Sequence, residues 1–162
     1  MMELVKVSAV VAFAAAVTCI ASAEGQDGST SSSRTASSGM SLRLELFVDD
    51  LDRSIRFYTE VLGFDRLDGS AGYVPVRSGS VLIGLGRAKT LPAGHYFNPQ
   101  LKSDRRGLGT EIVLEVDDVE AMFDHVQTSG HRILSPLQKR PWGATDFRIA
   151  DPDGYYLRIT SR

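Results

Sequence analysis

The chain has 162 residues, of which 43% are hydrophobic and 23% are charged, and its formal net charge at pH 7 is −2. This length suits one globular domain with a short appendage, and the composition is ordinary for such a domain. The small net charge gives no reason to expect nucleic acid or an anionic membrane surface as a partner. The sequence has one cysteine, Cys19. If the N-terminal segment that contains it is removed, the mature protein has no thiol, which excludes disulfides and cysteine-based sites.

Residues 1–23 have the pattern of a secretory signal peptide: Lys6 precedes an apolar run, which ends at Ala21-Ser22-Ala23. Residues 24–40 are rich in serine and glycine and are predicted to form a flexible linker. This interpretation predicts a secreted or extracytoplasmic protein that is free of the membrane once the signal is removed. The alternative is that Met40 is the true start, which predicts a cytoplasmic protein.

The first half of the domain predicts the element order βαβββ. Residues 42–48 alternate as in a half-buried strand, with leucine and valine on one face and Arg43, Glu45 and Phe47 on the other. Asp50 can cap the helix that follows, and Gly63 is placed as its C-terminal stop. Three further short strands are predicted at residues 64–67, 73–76 and 80–85.

The second half repeats the first. Residues 111–116 alternate in the same way, the next helix ends at Gly130, and a strand is predicted to begin at His131. The turn Asp151-Pro152-Asp153-Gly154 then joins two alternating strands as a hairpin.

These elements predict an α+β domain, residues 41–162, with modules at about 41–86 and 110–160 joined by the loop 87–109. One helix and one small sheet bury too little surface alone, so the two βαβββ modules must pair. We expect their sheets to curl around a shared cleft. The long loop is expected to act as a lid or as an arm in a dimer.

Two βαβββ modules, the helix entry VDDLDRSIRFYTEVLGF and a last strand after DPDG resemble the vicinal oxygen chelate superfamily. This superfamily contains glyoxalase I, extradiol dioxygenases, and fosfomycin and bleomycin resistance proteins. The resemblance covers residues 41–160. The segment PWG at 141–143, together with DPDG, is most similar to the bleomycin-resistance branch.

Metal-using members of that superfamily place ligands at four equivalent points, which the resemblance maps onto Arg43, Gly84, Glu111 and Arg158. Of these, Glu111 alone can ligate a metal, and guanidinium groups add positive charge where the ion would lie. The resemblance therefore implies no metal and no other cofactor. A shift of two residues in the alignment would present Glu45 instead of Arg43.

Strand alternation places the charged and aromatic candidates on the sheet faces opposite the helices. The residues expected to bind a ligand there are Arg43, Glu45, Phe47, Trp142, Arg148, Tyr156 and Arg158. Arginine offers directed donors for an anionic or carbonyl group, and aromatic walls with a few polar groups are usual in small-molecule sites. The alternative is that the arginines pair with glutamates and only join the two modules.

The sequence and the resemblance together predict a metal-free homodimer that binds a small hydrophobic or aromatic molecule by sequestration. The alternative function is a lyase, an isomerase or a dioxygenase of the same superfamily, with Glu111 as the catalytic base or as a metal ligand. A third possibility is a structural or regulatory protein with an empty cleft. The three histidines, His95, His125 and His131, have no spacing suited to a metal site.

Overall fold

The computed structural model describes residues 41–97 and 106–162, which belong to one compact unit, Met40–Arg162. The predicted signal peptide, residues 1–23, and the predicted linker, residues 24–40, lie outside the described residues. Within the described ranges, no helix is both long enough and apolar enough to cross a membrane.

The described residues form two βαβββ modules, so the predicted α+β architecture is confirmed. The first contains β1 (Leu44–Val48), α1 (Leu51–Arg56), β2 (Asp65–Arg66), β3 (Tyr73–Ser78) and β4 (Val81–Arg87). The second contains β5 (Glu111–Val116), α2 (Val119–Thr128), β6 (Ile133–Lys139), β7 (Thr145–Ala150) and β8 (Tyr156–Ser161). Helix α1 continues into a π-helical turn at Phe57–Val61.

The two modules have the same sheet topology. The strand order is β1-β4-β3-β2 in the first sheet and β5-β8-β7-β6 in the second. In each sheet the opening strand runs parallel to the last strand of its module, while the other pairs are antiparallel. The opening strands β1 and β5 therefore lie at sheet edges.

Several strand boundaries differ from the prediction. The sixth strand was predicted at residues 131–134, but it spans Ile133–Lys139, and register shifts make its pairing with β7 irregular. The strand predicted at 64–67 is reduced to Asp65–Arg66, and β1 begins at Leu44, since Leu42 is exposed.

The predicted helix ends are confirmed. Asp50 and Asp118 have extended backbones, and their carboxylates accept hydrogen bonds from the amides of Arg53 and Ala121 at 3.1 and 2.8 Å. Gly63 follows the first helical segment with a φ of 70°. This left-handed conformation favours glycine and ends the helix.

One hydrophobic core contains residues from both modules, and each helix packs against its own sheet. Because side chains alternate across a strand, the charged residues lie on the sheet faces away from the helices. We call these the first polar face, made by β1, β3 and β4, and the second polar face, made by β5, β7 and β8.

The two modules meet where the turn between β7 and β8 contacts the start of α1. The Asp153 carboxylate accepts hydrogen bonds from the amide of Asp49 at 2.7 Å and the hydroxyl of Ser54 at 3.1 Å. The Tyr155 hydroxyl donates to the carbonyl of Phe47 at 3.1 Å. The DPDG turn, predicted as a simple hairpin, is therefore also a joint between the modules.

Candidate functional site

The centre of the second polar face is a cluster of two arginines around one glutamate. Arg148 and Arg158 are direct register partners across β7 and β8. The two carboxylate oxygens of Glu111 lie 3.7 Å from Nε of Arg148 and 3.8 Å from Nε of Arg158. Like charges directly opposite on a sheet repel, so Glu111 relieves a repulsion that the strand register creates.

A second ion pair extends this cluster. The Asp146 side chain is fully buried, and its Oδ1 accepts from Nε of Arg140 at 2.7 Å and lies 2.6 Å from Nη2. Nε of Arg148 is 3.9 Å from the same oxygen. Arg140 also donates to the Ser135 hydroxyl at 3.3 Å, so its guanidinium is engaged on both sides.

Three polar atoms of this cluster are buried and have no hydrogen-bond partner in the part of the chain described. They are Oδ2 of Asp146 and the Nε atoms of Arg148 and Arg158. Buried polar atoms nearly always have a partner, because an unsatisfied group loses its hydration without compensation. These three atoms, one acceptor and two donors, are therefore left without a hydrogen bond at the centre of the second polar face.

The first polar face carries a smaller polar group. Glu45 pairs with Nε of Arg43 at 2.6 Å and accepts a hydrogen bond from the Tyr73 hydroxyl at 3.1 Å. Partial burial, together with the hydrogen bond to Glu45, raises the pKa of Tyr73. The arrangement depends on Gly84, because a Cβ at this position would come within 2.2 Å of the Glu45 carboxylate and 2.4 Å of the Tyr73 hydroxyl.

An aromatic cluster lies at the other end of this face. The rings of His95 and Phe97 contact Phe47, with centroid distances of 5.5 and 5.4 Å. His95 Nδ1 accepts from the amide of Phe97 at 3.1 Å, which orients the ring. The segment after β4 thus folds back over the first polar face, while residues 98–105, within the predicted lid or dimer arm, lie outside the described residues.

The structure brings some of the predicted ligand-binding residues together. Glu111, Arg148 and Arg158 form one cluster, and Arg43 and Glu45 form another. Tyr156 is half-buried on β8 beside Glu111. Trp142 is 61% exposed in the turn between β6 and β7, where its ring contacts Arg140 at 6.0 Å.

The alternative predicted that the arginines pair with glutamates and join the two modules; in the described residues the pairing is confirmed, but the joining is wrong. Arg43 pairs within the first sheet, and Arg148 and Arg158 pair within the second. The ion pairs that do cross between modules involve Arg106, which contacts Asp49 and Asp153. The three arginines therefore stabilise their own sheets and not the contact between the modules.

Three residues of these clusters were not predicted from the sequence: Tyr73, Arg140 and Asp146. Asp146 is two residues before Arg148 on the same strand, so alternation alone places both on one face. Tyr73 could have been suspected from Gly84 and Gly86, because small residues on a neighbouring strand leave room for a large side chain. Arg140 gave no signal, because its contact depends on the conformation of the turn at 140–144.

The residues at the four metal-ligand points do not fit a metal ion. Gly84 has no donor, and the guanidinium groups of Arg43 and Arg158 cannot ligate a cation. Glu45, the alternative ligand, is engaged by Arg43 and Tyr73. Across residues 41–97 and 106–162, no three His, Cys, Asp or Glu side chains are grouped so that they could hold a metal.

Comparison with known proteins places this fold in a family. Residues 41–159 match the Glyoxalase/Bleomycin resistance protein/Dioxygenase superfamily. The chain belongs to this superfamily. The resemblance predicted from the sequence is therefore confirmed for the superfamily as a whole, whose members include both enzymes and resistance proteins.

Three proteins similar to this chain have different names. A probable lactoylglutathione lyase of Vibrio parahaemolyticus is 29% identical over 139 residues, covering 76% of this chain and 91% of the relative. A protein of unknown function from Agrobacterium tumefaciens is 25% identical, with a TM-score of 0.62, covering 76% of this chain and 95% of its own. TioX from Micromonospora has the same fold at 24% identity, with a TM-score of 0.59 and coverage of 76% and 98%.

Proposed function

We propose that this protein is a metal-free small-molecule-binding member of the superfamily, of the bleomycin-resistance type, that holds a hydrophobic or aromatic ligand. The supporting observation is the Arg148, Arg158 and Glu111 cluster, since Arg158 puts a guanidinium group at one of the points where a metal-using relative needs a ligand. The aromatic cluster around Phe47 supplies an apolar surface, and directed polar groups beside apolar walls are typical of such sites.

The binding cleft of this proposal is built by a homodimer. Each polar face is the side of its sheet away from the helices, and the second carries the exposed apolar side chain of Val113. If the first polar face of one copy covers the second polar face of another, symmetry creates two equivalent clefts. Sedimentation of the full chain is expected to give twice the chain mass, and a monomer at micromolar concentration would refute this assembly.

The experiment for the function is mass spectrometry of ligand that co-purifies with the native protein, followed by incubation with that compound. Stoichiometric binding with no change in the mass of the compound is the expected result. Catalytic conversion of the compound would refute sequestration. Nickel, zinc, manganese and iron are expected to leave the unfolding temperature unchanged, because a ligand that binds the folded state would raise it.

The second candidate is a lyase, an isomerase or a dioxygenase, and it is favoured by the relative named as a probable lactoylglutathione lyase. In this case Glu111 would be the base or a metal ligand. Its contacts with two arginines instead suit a charge-balancing role. Conversion of a substrate that is lost in Glu111→Gln, with folding preserved, would establish the enzyme.

Protein purified from its native host also tests the cellular compartment. We propose export, with residues 1–23 removed, so the intact mass of protein from its native host should begin at Glu24. A mass beginning at Met40 would instead identify a cytoplasmic protein.

A further inference from the structure

The central cluster of the second polar face has one more positive charge than negative charge, while Glu115, on the same side of β5, is exposed and forms no ion pair among the described residues. Arg140, Arg148 and Arg158 contribute three guanidinium groups, while Asp146 and Glu111 contribute two carboxylates. Arg140 contacts Asp146 at 2.6–2.7 Å, so these two charges neutralise each other. Arg148 and Arg158 are left to share Glu111, and the excess charge lies between them.

The geometry around Glu111 shows that this carboxylate does not satisfy both arginines. Its two oxygens are 3.7 and 3.8 Å from the two Nε atoms, which is longer than a hydrogen bond. Both Nε atoms are buried without a partner in the described part of the chain. A guanidinium group offers five N–H donors in a planar fork that matches a carboxylate.

We propose that Arg148 and Arg158 bind the carboxylate of a monoanionic ligand, with Glu111 holding the two guanidinium groups side by side. This inference rests on the proposed function and specifies the chemical class of its ligand: a hydrophobic or aromatic monocarboxylic acid. The third unpartnered atom of the cluster, Oδ2 of Asp146, is fully buried, so it adds negative charge near Arg148 and is not itself a ligand contact.

The charge count separates a carboxylate from a phosphate monoester. One excess positive charge is neutralised by a monoanion, whereas a dianion would leave a net negative charge in a partly enclosed site. Such a charge is costly to hold away from water. Replacing Glu111 by glutamine raises the excess to two charges, so this variant should favour dianions.

The test is calorimetric titration of the full-length protein with benzoate, 2-naphthoate and decanoate, each compared with its neutral amide, and with 2-naphthyl phosphate. We expect at least one carboxylate to bind, and to bind more tightly than its amide. Arg148→Gln and Arg158→Gln should each lower the affinity for that carboxylate by about tenfold to a hundredfold, the usual loss for a hydrogen bond to a charged group. Arg77→Gln, on an exposed arginine of β3, is the matched control and should change nothing.

Two further variants keep the test valid if a glutamine variant does not fold. Arg158→Lys keeps the charge but loses the planar fork, so it should fold and still weaken carboxylate binding. Glu111→Gln should improve binding of 2-naphthyl phosphate relative to 2-naphthoate. An unchanged ratio in this variant would overturn the charge argument.

The outcomes distinguish this inference from the proposed function. If an amide binds as tightly as its carboxylate and the arginine variants have no effect on binding, the carboxylate site is wrong. The proposal that the protein binds small molecules is then still supported. If 2-naphthyl phosphate binds the native protein more tightly than 2-naphthoate, the monoanion assignment is wrong. If no carboxylate of the panel binds, the carboxylate site is wrong, whereas the proposed function is overturned only by the experiment with the co-purified ligand.

Discussion

Asp151 provides a direct test of the joint between the modules. Its side chain is buried, its Oδ1 accepts from the amides of Asp153 and Tyr155 at 2.9 Å, and Oδ2 lies 3.4 Å from the Tyr58 hydroxyl. Burial is the main cause that raises the pKa of Asp151, from 3.8 to about 6. We therefore expect Asp151→Asn, which keeps the shape and removes the charge, to stabilise the protein at neutral pH.

The sign follows from proton linkage. A carboxyl group whose pKa is higher in the folded state binds its proton more tightly when folded, so its contribution to stability is present below pH 3.8 and is lost as the pH rises through about 6. A pKa difference of about 2 between the folded and unfolded states corresponds to about 3 kcal/mol of unfolding free energy. Because asparagine accepts the two amide hydrogen bonds more weakly than a carboxylate, we expect a net gain of about 1–3 kcal/mol at pH 7.5.

The assay is urea unfolding of both proteins between pH 4 and pH 8. The difference in unfolding free energy should grow as the pH rises from 4 to 7 and then stay constant. Asp153→Asn, in the same turn, is the matched control, and it should lower stability because Asp153 binds Asp49, Ser54 and Arg106. A difference between native protein and Asp151→Asn that does not change with pH, or a variant less stable at pH 7.5, would refute the reasoning.

Two further predictions concern local packing. Gly69→Ala should destabilise the protein by about 1–3 kcal/mol, since its Cβ would come within 2.3 Å of the backbone carbonyl oxygen of Tyr73, whereas Gly94→Ala has open space and should not. Urea midpoints of the two variants give this comparison, and equal values would contradict it. Asp118→Ala should cost about 1 kcal/mol by removing a helix cap, while Asp118→Asn keeps the acceptor and should be nearly neutral in thermal unfolding.

Much of the fold could be predicted from the sequence because the determining signals are local. Asp50 and Gly63 mark the ends of the first helix through side-chain capping and a left-handed backbone, and the second module repeats these signals. Alternation correctly assigned Arg148 and Arg158 to the face away from the core. These features are determined by residues that are close together in the sequence, so a local pattern is enough to predict them.

The composition of the clusters depended on contacts that alternation does not specify. Alternation gave the correct face for Glu45 and Glu111, but their partners depend on strand register, which placed Tyr73 beside Glu45 and Arg148 beside Glu111. Asp146 was visible in the pattern, yet its ion pair depends on Arg140 folding back from the preceding turn. Strand order and turn geometry are tertiary properties, and for this reason the ion pairs could be predicted only as alternatives.

The two polar faces differ in a way that bears on the proposed dimer. On the first face, Arg43 and Glu45 neutralise each other, and the aromatic rings around Phe47 provide apolar surface. On the second face, the excess charge lies between Arg148 and Arg158. A cleft that combines one face from each copy would then set an apolar wall opposite a single positive charge. An amphipathic monocarboxylic acid has an apolar end that suits the aromatic wall and a carboxylate that suits the positive charge. For this reason the proposed assembly and the proposed ligand class support each other.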